Sequence, residues 1–137
     1  MTNYILLFFL IVSISISTVP KKNIAVDGIS SATNTEIPLN NGKKWKANKE
    51  TTESIHKMVV ITQAALNADK FEAEEVRSAL KAELENLLKH CTMEGMPRVY
   101  LQKYQVGFTY RMHAIINHKS TLKEVLEYLE TYSTYFE

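Results

Sequence analysis

The chain is 137 residues long, within the usual range of a single domain. Its 16 Lys plus Arg nearly cancel its 15 Asp plus Glu, and a net charge of +1 argues against a dedicated nucleic-acid binder, which normally shows a strongly basic face. A single cysteine excludes an intramolecular disulfide framework and any zinc site built on cysteine pairs. The four histidines form no HExxH pattern, and no CxxCH offers covalent haem attachment.

The N-terminus is dominated by an unbroken apolar run from Ile5 to Val12, which Ser13 to Ile16 extends with alternating serine. Tyr4 to Val19 falls short of the ~20 residues a helix needs to cross a bilayer. Ser15-Ile16-Ser17 supplies a small-x-small cleavage site, so residues 1–19 read as a secretory signal peptide. The alternative is a short uncleaved membrane anchor. Met1 to Tyr4 carries no basic side chain while Lys21-Lys22 lies beyond the run, a bias that would keep the C-terminal part inside. No cysteine follows the run to mark a lipoprotein anchor. Residues 20–44 read as a flexible linker: Ser, Thr, Asn and Lys predominate, Gly28 and Pro38 interrupt any period, and Asn40-Asn41-Gly42 signals a turn.

Residues 45–137 carry four helical patterns. The first spans about 49–66, with Asn48 as N-cap, Glu50 and Glu53 near the positive end of the dipole, and a stripe of Ile55, Met58, Val59, Thr62 and Leu66. Trp45 just before it is expected to lie over the end of the bundle with its N–H on a partner. The second pattern spans about 70–90 through Val76, Leu80, Leu84, Leu87, Leu88 and Cys91. Its other face, with Glu75, Lys81, Glu85 and Lys89, is a solvated charged face. Gly95 allows positive φ in the connection that follows. The third pattern opens at Pro97, suited to a first turn, and runs through Leu101, Tyr104, Phe108, Met112, Ile115 and Ile116. The fourth opens at Ser120 or Thr121, where Thr121 and Glu124 fit a capping box. It continues through Leu122, Val125, Leu126, Leu129, Tyr132 and Phe136 to the end of the chain. Four amphipathic segments with short connections predict an all-α fold, an antiparallel up-down-up-down four-helix bundle preceded by a signal peptide or short membrane anchor.

Chemistry concentrates in the connection between the second and third patterns. His90, Cys91, Met93 and Met96 offer imidazole, thiolate and thioether in one short stretch, a soft donor set suited to Cu(I). The competing reading is packing, because Cys91 falls in phase with Leu84 and Leu87 and methionines fill irregular gaps. His113 and His118 are out of helical register as a ligand pair. Met58 and Met112 could each give haem one axial ligand, but the fourth pattern has no histidine. A Cys91–His90 or Cys91–His113 nucleophile lacks an orienting third group, and the acids mostly fall off the apolar stripes. No enzyme is expected. The aromatic group Tyr128, Tyr132, Tyr135 and Phe136 reads as packing at the bundle end. A protein-interaction role would predict exposed rings near Tyr132 and Phe136.

Three stretches carry a resemblance: Trp45-Lys46-Ala47-Asn48-Lys49-Glu50-Thr51-Thr52, Cys91-Thr92-Met93-Glu94-Gly95, and the ending Tyr128-Leu129-Glu130-Thr131-Tyr132 with Tyr135-Phe136. Together they resemble a group of small exported Bacteroidetes proteins with W-x-A-N-x-E-T and C-T-M-x-G motifs. The resemblance implies an extracytoplasmic helical domain and no specific activity. In that group an A-H-x-x-L-H-like segment follows C-T-M-x-G. Here Pro97 to Gln102 stands in its place without a histidine, which weakens any metal site carried over from the group. The expectation is an exported, periplasmic, non-catalytic module that binds an unidentified protein partner or small ligand, with Cu(I) at His90, Cys91, Met93 and Met96 as the metal candidate. The alternative is a structural or protein-interaction domain tethered at the membrane through residues 4–19.

Overall fold

The computed structural model describes residues 36–137, so the apolar run and the signal or anchor reading of residues 1–19 lie outside the described residues. The described part is all-helical: α1 (Lys49–Asn67), α2 (Ala73–His90), α3 (Gly95–His113), α4 (Lys119–Glu130) and a single C-terminal turn, α5 (Tyr132–Tyr135). α1 packs against both α2 and α4, and α3 against α4. The contact between α2 and α3 is much the thinnest of the four. One core fills the centre, built on Met58, Leu80, Leu101, Tyr104, Phe108, Leu122 and Leu129. Among the described residues no helix is long and apolar enough to cross a membrane.

α1 buries a stripe that is half polar: Thr51, Ser54 and Thr62 lie beside Ile55, Met58 and Ala65. Val59 and Leu66, expected in the stripe, are only partly buried. Small side chains let α2 come close, and each hydroxyl is satisfied locally or across the seam. Thr62 donates to the Met58 carbonyl at 2.8 Å, Thr51 donates to Asn48 Oδ1 at 2.6 Å, and Asn86 donates to Ser54 Oγ at 3.2 Å. Asn48 holds the N-cap position, yet its side chain does not cap α1. Its amide instead donates to the His90 carbonyl at 3.1 Å, tying the start of α1 to the end of α2.

The other helix starts depart from the sequence expectation for identifiable reasons. α2 begins at Ala73 rather than near Lys70, because the Asn117 side chain, from the loop after α3, accepts from the Ala73 N–H at 2.7 Å. α3 begins at Gly95, two residues before Pro97, and Gly95 takes φ of 61°, the freedom expected of it. α4 begins at Lys119 with His118 as N-cap, its ring accepting from the Ser120 N–H at 3.3 Å. The capping box at Thr121 and Glu124 does not form. The Thr121 hydroxyl bonds backwards to the His118 carbonyl at 2.7 Å, closing the loop rather than opening the helix. α3 ends at His113, so Ile115 reaches the core from the loop and Ile116, also expected inside, is exposed.

Residues 36–44, expected as part of the linker, sit on the bundle. Ile37 is buried in the core, and Asn41 and Gly42 both take positive φ in a two-residue hairpin between Asn40 and Lys43. Trp45 does what was expected of it: its indole N–H donates to the Pro38 carbonyl at 2.6 Å and its ring lies 4.9 Å from that of Tyr100. The chain end then closes on this strap. Trp45 N donates to the Tyr135 carbonyl, Glu137 N to the Trp45 carbonyl, and Ala47 N to the Glu137 carbonyl. Lys46 meets the Glu137 carboxylate at 2.7 Å and holds it below the usual carboxylate range.

Candidate interaction surface

The connection from α2 to α3 divides its four soft donors between core and solvent. His90 is exposed, and its ring nitrogen engages the Asn86 carbonyl at 2.9 Å. Cys91 is half-buried against the core as the C-cap of α2, and its carbonyl accepts from Arg98 at 3.2 Å. Met93 belongs to the core, while Met96 is about half exposed on the first turn of α3. Among the described residues no group of three or more His, Cys, Asp or Glu side chains could hold a metal ion. Met93 is thus buried in the core and Cys91 packs against its edge. His113 and His118 are both exposed, His118 occupied in capping α4.

The aromatic end is closed rather than displayed. Tyr132 and Phe136 are buried with their rings stacked at 4.9 Å, the packing at the bundle end that was expected of them, and the exposed rings that a protein-interaction role would place there are absent. The Tyr132 hydroxyl meets that of Thr52 at 3.1 Å. Burial raises the Tyr132 hydroxyl, and Cys91 beside it adds to that rise against the Thr52 hydrogen bond. An open groove of about 300 Å³ runs past this point between α1 and α4, lined by Ile55, His56, Val59, Leu129 and Glu130 among others. A second groove of about 460 Å³ lies between the two loops at the other end, but its Asn117 is committed to Ala73.

An unpartnered apolar surface lies on α3. Its inner stripe is Leu101, Tyr104, Phe108 and Met112, all buried. Its opposite side carries Met96, Val99, Val106 and Tyr110, with exposures of 49%, 51%, 67% and 54%. These fall with Lys103 and His113 at alternating spacings of three and four, one face of a helix by the same rule that defines the core stripe. α3 is therefore apolar on two opposed faces. Where α2 and α3 barely touch, an open groove of about 350 Å³ continues this surface, lined by Leu84, Leu88, Gln102, Gln105, Val106 and Thr109. Leu88, expected inside on the stripe of α2, is 45% exposed on its rim. The second stripe was readable in the sequence, but Lys103 in its middle disguises it. The Lys103 ammonium donates to the Glu36 carbonyl at 2.9 Å. Comparison of the chain with protein-family models, curated proteins and solved structures gave no match.

Proposed function

We propose that this chain is an exported, non-catalytic interaction module that presents the outer face of α3, with its groove against α2, to a protein partner. The observation that carries the reading is the exposure of Val99, Val106 and Tyr110 on a helix whose other face is fully committed to the core. Apolar side chains gathered on one face, and continuous with a groove, mark an interaction site far better than scattered ones do. In this reading the four long helices run up-down-up-down, in keeping with the short connections 68–72, 91–94 and 114–118. The rigid bundle then serves to hold α3 at its edge.

The test uses an apolar fluorescent dye, 8-anilinonaphthalene-1-sulfonate, on the full chain. The dye signal should fall when Val99→Glu and Val106→Glu are combined, with the far-ultraviolet circular dichroism unchanged. An identical dye response from a folded double variant would sink the reading. Export rests on the apolar run before Ser15-Ile16-Ser17 and on the resemblance to small exported proteins. N-terminal sequencing of the protein recovered from the cell envelope should give a start at Thr18. A start at Met1 would favour the tethered alternative, with residues 4–19 as the anchor.

A further inference from the structure

We infer that the partner of the α3 outer face is a second copy of this chain, paired antiparallel along α3. The inference rests on the reading of that face as the working surface and adds the identity of its occupant. Met96, Val99, Lys103, Val106, Tyr110 and His113 follow one another at steps of three, four, three, four and three, the a/d rhythm of a helix seam. Such a seam calls for a helix opposite. It also reads nearly the same from either end. A two-fold axis midway between Lys103 and Val106 sets Val99 against Tyr110 of the other copy, and Met96 against His113. Lys103 lies beside Val106 at the centre. A single lysine at an a position fixes register at some cost in stability, and the Lys103 ammonium already has a partner in the Glu36 carbonyl. In the parallel arrangement the two Lys103 side chains would face each other across the seam, and like charges in contact oppose that register.

The available area sets the strength of the pair. Met96, Val99, Val106, Tyr110 and Leu88, each about half to two-thirds exposed, offer on the order of 450 Å² of apolar surface per copy. Two copies together bury on the order of 900 Å² of apolar surface, below the size of stable specific interfaces and within that of transient ones. That size places the pair among weak, reversible dimers.

Sedimentation of the full chain tests the inference first. The mass per particle should double between about 1 and 100 μM, and Val106→Glu should abolish the doubling while the helical signal is retained. Register is tested in a Cys91→Ser background. On oxidation, a mixture of the Val99→Cys and Tyr110→Cys variants should form a disulfide-linked pair that neither variant forms alone. Cross-linking of Val99→Cys with itself would show a parallel seam and overturn the inference, as would a dimer indifferent to Val106→Glu. A monomer at every concentration, with no cross-link in the mixture, also overturns it. In that event the dye experiment separates two cases: a response still lost in the Val99→Glu, Val106→Glu double variant leaves the face as a site for a different partner, and an unchanged response removes the face as a site altogether.

Discussion

Replacing Tyr104 with alanine is expected to lower the unfolding free energy by ~3–5 kcal/mol, a large share of the 5–15 kcal/mol typical of a whole domain. Tyr104 is buried where α3 crosses α4, and it joins the two helices in three ways. Its hydroxyl donates to the carbonyls of Tyr128 at 2.8 Å and Leu129 at 3.2 Å, and the Tyr128 hydroxyl donates back to the Tyr104 carbonyl at 2.9 Å. The Tyr104 and Tyr128 rings stack at 4.8 Å, with Arg111 over the outer face of Tyr128 at 4.1 Å. Tyr132 and Phe136 pack edge-on against Tyr104 at 5.7 and 6.2 Å. Removing the ring leaves a cavity that its three aromatic neighbours cannot all collapse into. Tyr104→Phe keeps the ring and removes only the hydroxyl, so its cost should be smaller, ~1 kcal/mol for one shared hydrogen bond, because the Tyr128 carbonyl keeps the Thr131 N–H at 3.1 Å and the Thr131 hydroxyl at 2.6 Å. Denaturant unfolding followed by circular dichroism measures both. Equal losses for the two variants would mean that the ring contributes nothing beyond its hydroxyl. Burial also pushes the Tyr104 hydroxyl above the usual tyrosine value of ~10. A group raised in the folded state contributes stability that is intact below its unfolded value. The protein should therefore lose stability as pH rises beyond ~10, and Tyr104→Phe should lose less over the same interval.

The same aromatic end shows what a sequence can and cannot disclose. Leu122, Val125 and Leu129 lie in the core as their spacing requires, and Leu101, Tyr104, Phe108 and Met112 do likewise on α3. Local periodicity carries that information, because a helix repeats its faces every few residues. What it cannot carry is a partner distant in sequence. The start of α2 depends on Asn117, forty-four positions away from Ala73, and Asn48 bonds the His90 carbonyl forty-two positions on rather than capping its own helix. Ile37 and Leu39 stand two apart in a short stretch with no helical period, and only the strap closed by Trp45 and the chain end explains why Ile37 is buried and Leu39 is exposed. Among the four soft donors, the phase of Cys91 with Leu87 pointed toward packing, and Cys91 does pack against the core. Met96 belongs to a different face altogether, that of Val99 and Val106. The outer face of α3 is masked in the sequence by Lys103, which interrupts the apolar run of Met96, Val99, Val106 and Tyr110.

Placing one charge on either side of α3 should give opposite results. Leu101 is fully buried and Val106 is 67% exposed on the same helix. Leu101→Glu puts a carboxyl among Tyr104, Phe108 and Leu129, where no donor waits for it. The loss should exceed ~4 kcal/mol, enough to unfold a domain of ordinary stability. Val106→Glu replaces a β-branched residue with a better helix former on a wet surface, so at ~1 μM protein the change should stay within about 0.5 kcal/mol. Thermal melts at that concentration decide the matter, because a weak dimer is dissociated there and cannot lend stability by mass action. If Val106→Glu instead destabilised as strongly as Leu101→Glu, the outer face would have to be covered within a single chain, and no partner would be needed to explain its apolar character. If it is tolerated, the apolar residues at 99, 106 and 110 do nothing for the fold that carries them. Three large apolar side chains kept on an outward face without stabilising the bundle then need a reason outside the single chain, and a surface that buries them against another molecule supplies it.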